Sequence, residues 1–145
     1  MHELIKKDIL AVLNELTEIL KSKEESDVAE IRGLSNKVIH NASIFQDEDS
    51  ISVAILIYSL SKIIERKQKQ LDYGRLLTIL DLSISSLKVD QDEEFRKTIK
   101  NIFSFIKTID QKIRMYVHEV INQARIKKGC KLCAHGISVA RASEV

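Results

Sequence analysis

Residues 49–66 read DSISVAILIYSLSKIIER and form the least polar part of the chain. Ile51, Val53, Ala54, Ile55, Leu56, Ile57, Tyr58, Leu60, Ile63 and Ile64 leave no polar face in the middle two turns of a helix. A helix that is apolar all round has to be buried on every side. An acidic turn precedes the stretch and a basic run follows it, the signs that suit the two ends of a helix dipole. The stretch is therefore the expected centre of a helical bundle, with the other helices packed around it. It offers no His, Cys or buried acid for chemistry, and Tyr58 is its only large polar-tipped side chain.

The rest of the composition agrees with an all-α chain. The 145 residues contain no proline and only Gly33, Gly74, Gly129 and Gly136 as glycines, too few for the turns of a β-sheet protein. The length suits one domain with a single core. No stretch reads as a signal peptide, and the central apolar run falls short of the roughly 20 residues that cross a bilayer. A cytoplasmic protein is expected.

Working outward, an apolar stripe of Ile5, Ile9, Val12, Leu16 and Leu20, widened by Leu4, Leu13 and Ile19, predicts a first helix over 2–21. Ser22-Lys-Glu-Glu25 has capping-box spacing and restarts the chain as a second helix. There Val28, Ile31, Ser35, Val38, Ala42 and Phe45 share one face. Gly33 in its middle costs about 1 kcal/mol relative to alanine, and close helix packing is the expected reason for it. Asp47 or Asp49 is placed to cap the central helix, and Asp72 to cap a fourth helix over 73–88. That helix carries a stripe of Leu76, Leu77, Leu80, Ile84 and Leu87. Ile79 and Leu82 lie off the stripe, which predicts contact from two sides. His40, beside Asn41 near the stripe of the second helix, reads as a partly buried histidine satisfied by a neighbour.

After the acidic cluster 90–94, Phe95, Ile99, Ile102, Ile106, Ile109, Ile113, Tyr116 and Val120 alternate steps of four and three. This 3.5-residue repeat is the pattern of a supercoiled seam. A continuous helix to Lys128 would be about 50 Å long at 1.5 Å per residue, so the segment must bend near Asp110 or protrude. A protruding seam would make a homodimer. Phe103, Phe105, Val117 and Ile121 broaden the apolar face and favour a seam inside the bundle. The expected architecture is a bundle of five to six helices over 1–128, followed by an extension over 129–145.

Chemistry, if any, belongs to the C-terminal end. Residues 112–145 carry seven basic side chains against Glu119 and Glu144, a balance of +5, so the remaining 111 residues sum to −3 beside an overall +2. An acidic body with a basic tail points to an anionic partner there. Cys130, Cys133 and His135 have the spacing of three metal ligands, but a structural zinc takes four and no second pair follows. His118 is far along the helix. Two packed thiols are the favoured reading, with no metal and no cofactor. No nucleophilic triad, phosphate loop or zinc-protease motif occurs, and an enzyme is not expected.

Residues 136–145, GISVARASEV, resemble the opening helix of small prokaryotic helix-turn-helix modules, whose pattern is roughly G-x-S-x-x-x-A-A/S-x-x-L-G. Ser138 is a good N-cap, and Ile137 and Ala142 have staple spacing. The resemblance implies a DNA-binding regulator, of prokaryotic and archaeal type, with the helical body as its dimerisation or regulatory part. Phosphate contacts would then come from Arg125, Lys127, Lys128, Lys131 and Arg141. A recognition helix, which such modules use to read the major groove, does not follow within these 145 residues. A helical protein–protein interaction module is the alternative. A third reading comes from Arg114 and His118, whose R-x-x-x-H spacing is similar to a shortened form of the signature of HEPN ribonucleases, which are also helical bundles.

Overall fold

The computed structural model describes residues 1–22 and 27–127, which form six α-helices and their connections with no strand among them. The helices are α1 (Glu3–Ser22), α2 (Asp27–Phe45), α3 (Glu48–Lys67), α4 (Tyr73–Lys88), α5 (Asp92–Ile109) and α6 (Ile113–Gln123). None of them is long and apolar enough to cross a membrane.

The apolar stretch is α3, and it is the hub. Ile51, Ala54, Leu56, Ile57, Leu60 and Ile63 have almost no exposed surface, because α1, α2, α5 and α6 all contact this helix. Its start is set by Asp47, whose Oδ2 accepts the backbone N–H groups of Asp49 at 3.0 Å and Ser50 at 3.2 Å. These are two of the four donors that the first turn cannot satisfy internally. Asp72 does the same for α4 through the N–H of Arg75. The expectation that α3 buries no acid is corrected. Asp49 is buried and takes a two-pronged bond from Arg96 of α5, Nε to Oδ1 and Nη2 to Oδ2, each 3.0 Å. That bond raises the Arg96 pKa and pins the start of α3 to the start of α5.

The long seam bends at Asp110 instead of protruding. Asp110 leaves helical geometry (φ −139°, ψ 118°), and its Oδ1 accepts the Lys112 N–H at 3.0 Å, turning the chain into α6. The side chain thus competes with the helical ladder for a backbone donor, as aspartate does at turns. The two halves of the repeat then pack inside one chain, α5 on α3 and α4, α6 on α3 and α2. Phe95, Ile99, Ile102, Ile106, Ile113, Tyr116 and Val120 are all buried. Ile109 of the same repeat is half-buried, so the seam faces the interior of a single bundle.

Four smaller expectations are corrected. Leu4 and Leu82 stay 63 % and 55 % exposed, one in the first turn of α1 and the other on the outer side of α4, although α4 is contacted from two sides as expected, by α1 and by α5. His40 is exposed, on the outer side of α2. Ser22 ends α1, with its hydroxyl 2.8 Å from the Ile19 carbonyl and 2.7 Å from Asp27 Oδ1; the remainder of the supposed capping box falls outside the described residues. Gly33 supports no close helix contact, because a methyl there would meet no other atom within 4 Å. Gly33→Ala should therefore raise stability by about 0.5–1 kcal/mol through helix propensity and reduced unfolded-state entropy. Urea denaturation checks this, and a loss of stability would show a packing role.

Candidate nucleic-acid interface

α6 is amphipathic in charge as well as in hydropathy. Ile113, Tyr116, Val117 and Val120 turn inward, while Lys112, Arg114, Met115, His118, Asn122 and Gln123 are exposed. The single carboxylate of the helix, Glu119, is half-buried and accepts the Tyr58 hydroxyl. The outer side of α6 therefore shows cations and amides with no exposed acid. Arg125 and Lys127 follow directly and are exposed too.

The exit from α6 is held by one residue of a distant turn. Gln46 closes α2 in the left-handed region (φ 51°), and its side chain spans to the residues that follow α6. Its Nε2 donates to the carbonyls of Ala124 at 3.3 Å and Arg125 at 3.4 Å, and its Oε1 accepts the Lys127 N–H at 3.1 Å. Arg125 itself is left-handed (φ 52°), which ends the helix there, with the Ile126 N–H bonded back to the Ile121 carbonyl at 3.1 Å. The side-chain amide of Gln46 thereby gives partners to backbone groups at and beyond the end of α6.

At the other end of α6 a polar network joins three elements. The Tyr116 hydroxyl donates to Asp110 Oδ2 at 2.7 Å, and Arg66 of α3 reaches both the same oxygen, at 3.5 Å, and the Tyr116 hydroxyl. The Arg66 guanidinium also lies 5.8 Å from the Tyr116 ring centre. Burial alone would raise the Asp110 carboxyl, but the Tyr116 hydroxyl, the Lys112 N–H and the cations of Lys67 and Arg66 outweigh it and hold its pKa below the usual value. Burial, then the bond to Asp110, raises the Tyr116 phenol. Tyr58 packs edge-on against Tyr116 at 5.9 Å and is pushed up to about 12, by burial first and then by Glu119. Both phenols stay protonated at neutral pH and act as donors and packing groups.

Of the predicted phosphate contacts, Arg125 and Lys127 lie together at this exit. Lys128, Lys131 and Arg141 fall outside the described residues, as do Cys130, Cys133, His135 and the segment resembling a helix-turn-helix. Among the described residues no group of three or more His, Cys, Asp or Glu is arranged to hold a metal. Arg114 and His118 stand one turn apart on the exposed side of α6. Gln46 was not legible as a site residue, since its partners lie about eighty positions away and nothing local marks it. The chain matches no family model, no curated protein and no solved structure.

Proposed function

We propose that this protein is the helical body of a DNA-binding regulator that acts through its C-terminal basic segment. The observation that supports the reading is the fixed exit from α6. Gln46 ties the backbone of residues 124–127, so Arg125 and Lys127 extend from a defined point on a rigid body rather than from a loose end. Both side chains are exposed and carry the charge that phosphate contacts require. Subunit pairing, where it occurs, uses a surface other than the buried seam.

The 145-residue protein is expected to bind a mixed-sequence duplex at about 50 mM salt, with log Kobs falling linearly in log salt by about 0.9 per phosphate neutralised. The double change Arg125→Gln, Lys127→Gln should reduce that slope by roughly two, without a change in sequence preference. Absence of binding at low salt in a filter or polarisation assay would remove the reading.

A protein-interaction module is the second reading, and a separate feature favours it. α1 and α2 enclose an open groove of about 440 Å³ that includes Glu15, Glu18, Ile19, Gly33, Leu34 and Lys37. Gly33 has open space above it, which leaves room for an outside backbone to approach. Under this reading Gly33→Leu would abolish partner binding while the fold is kept.

A further inference from the structure

We propose that the bundle itself contacts DNA, through the face between the end of α3 and the outer side of α6, and not only through the segment after α6. The inference rests on the DNA-binding reading and extends it to four residues outside the predicted phosphate contacts: Lys62, Lys67, Lys112 and Arg114.

The carboxylates near this face are buried, bonded or paired. Asp110 lies between the end of α3 and the start of α6 but is 1 % exposed, turned under Tyr116 and Arg66. Glu119 is the other acid in the area, and its carboxylate is engaged by Tyr58. Glu65, one turn along α3 from Lys62, has its charge offset by Arg32 of α2 at 3.2 Å. The cations are not withdrawn in the same way. Lys67 bonds the Ile109 carbonyl at 3.2 Å, which brings the last turn of α3 against the turn before α6. Lys62 lies 5.2 Å from the centre of the Tyr58 ring, and that ring packs edge-on against Tyr116 of α6. Lys62 and Lys67 on α3 therefore flank the start of α6, where Lys112 and Arg114 are exposed. Burying or pairing the acids while Lys112 and Arg114 stay exposed and Lys62 and Lys67 half-exposed leaves a local positive field larger than the net charge implies.

This face continues into the one already assigned. From Lys112 to Arg125 the chain covers about 20 Å along the axis of α6 at 1.5 Å per residue. A duplex strand presents a phosphate every 3.4 Å or so of axis, so that length matches about six phosphates. Arg, Asn and Gln, the side chains that bond base edges and phosphates alike, occur along it as Arg114, Asn122 and Gln123. An anionic lipid surface is the other extended polyanion. A helix lying on it needs an apolar side to insert, and the apolar side of α6 is buried in the bundle, with Met115 its one exposed large hydrophobe.

The test uses the full 145-residue protein and a mixed-sequence duplex of about two helical turns. Lys62→Gln, Lys112→Gln and Arg114→Gln are combined in one variant, none of them belonging to the Asp110 side-chain network. Circular dichroism establishes that the variant is folded. Its salt slope should fall by between one and about 2.7, at 0.9 for each phosphate no longer neutralised. A control variant with Lys7→Gln, Lys21→Gln and Lys37→Gln removes the same charge from α1 and α2 and should keep the wild-type slope. A folded triple variant with the wild-type slope, beside a reduced slope in the Arg125/Lys127 variant, overturns this inference and leaves the DNA-binding reading standing. Equal losses in the triple variant and the control also overturn it, because net charge would then be the cause. If the wild-type protein binds no duplex at low salt, both fall together.

Discussion

Ile106→Asp is expected to unfold the chain, not to dissociate a dimer. Ile106 is fully buried in the seam of α5, against α3 and α4. The change removes a buried aliphatic group worth about 1.5–3 kcal/mol. It also places a carboxylate where no partner waits, at a cost of several kcal/mol more. The sum is comparable to the whole stability of an ordinary domain, about 5–15 kcal/mol. Ile113→Asp, equally buried at the start of α6, should behave alike. Loss of the helical circular-dichroism signal and of any cooperative thermal transition is the expected result. A folded protein of reduced mass by light scattering would show instead that the seam joins two chains.

Asp110→Ala carries the second largest effect. The buried carboxylate satisfies the Tyr116 hydroxyl through one oxygen and the Lys112 N–H through the other. Truncation leaves both donors without their partner at the bend between α5 and α6. An unsatisfied buried donor costs about 1–3 kcal/mol, so a destabilisation of about 2–4 kcal/mol is expected, measured by urea denaturation. Asp110→Asn keeps one acceptor oxygen and should lose less. Arg66 adds little to the figure because its side chain is 40 % exposed and screened by solvent. The pH dependence has a definite sign. The Asp110 pKa is held below its ordinary value of 3.8 in the folded protein, so its contribution is fully present above that value. It is lost as pH falls through the folded value. The stability gap between wild type and Asp110→Ala should therefore be constant near neutrality and shrink below about pH 4. A gap that does not change in acid would mean that the carboxylate is not bonded as described. The same variant tests the link to function, since a displaced α6 would also displace Lys112, Arg114 and the exit at Arg125.

The two changes bear on different levels of the structure. Ile106 sits in a pattern visible along the chain, and its burial follows from spacing alone. Asp110 was legible as the place where the long helix would bend if it did not protrude, because its seam was too long for its neighbours. That its carboxylate would gather Tyr116, Lys112 and Arg66 was not legible, because Arg66 lies 44 positions earlier. Gln46 is a stronger case. Its partners are backbone atoms of residues 124–127, and a backbone atom leaves no trace in residue identity. The tail residues Arg125 and Lys127 were marked by charge, whereas Lys67 reads as the ordinary basic end of a helix and Lys62 as an unmarked surface position, and only the packing of α6 beside α3 relates them to it.

By itself the sequence determined the helical class, the start of α4 at Asp72, the start of α3 to within Asp47 or Asp49, that residues 49–66 form the hub and that the long seam had to bend or protrude. These are local matters, decided by spacings of three and four residues and by aspartates within reach of the first free N–H groups. Tertiary structure alone decided which sides of the helices are covered. Leu82 and Gly33 meet solvent, Asp49 finds Arg96 and Asp110 turns inward, because each outcome depends on a neighbour brought from elsewhere in the chain. The charge that remains outside follows from the same cause. Acids near α6 are drawn into bonds with tyrosines while the lysines and arginines stay at the surface, and that separation arises only once α3 and α6 lie side by side.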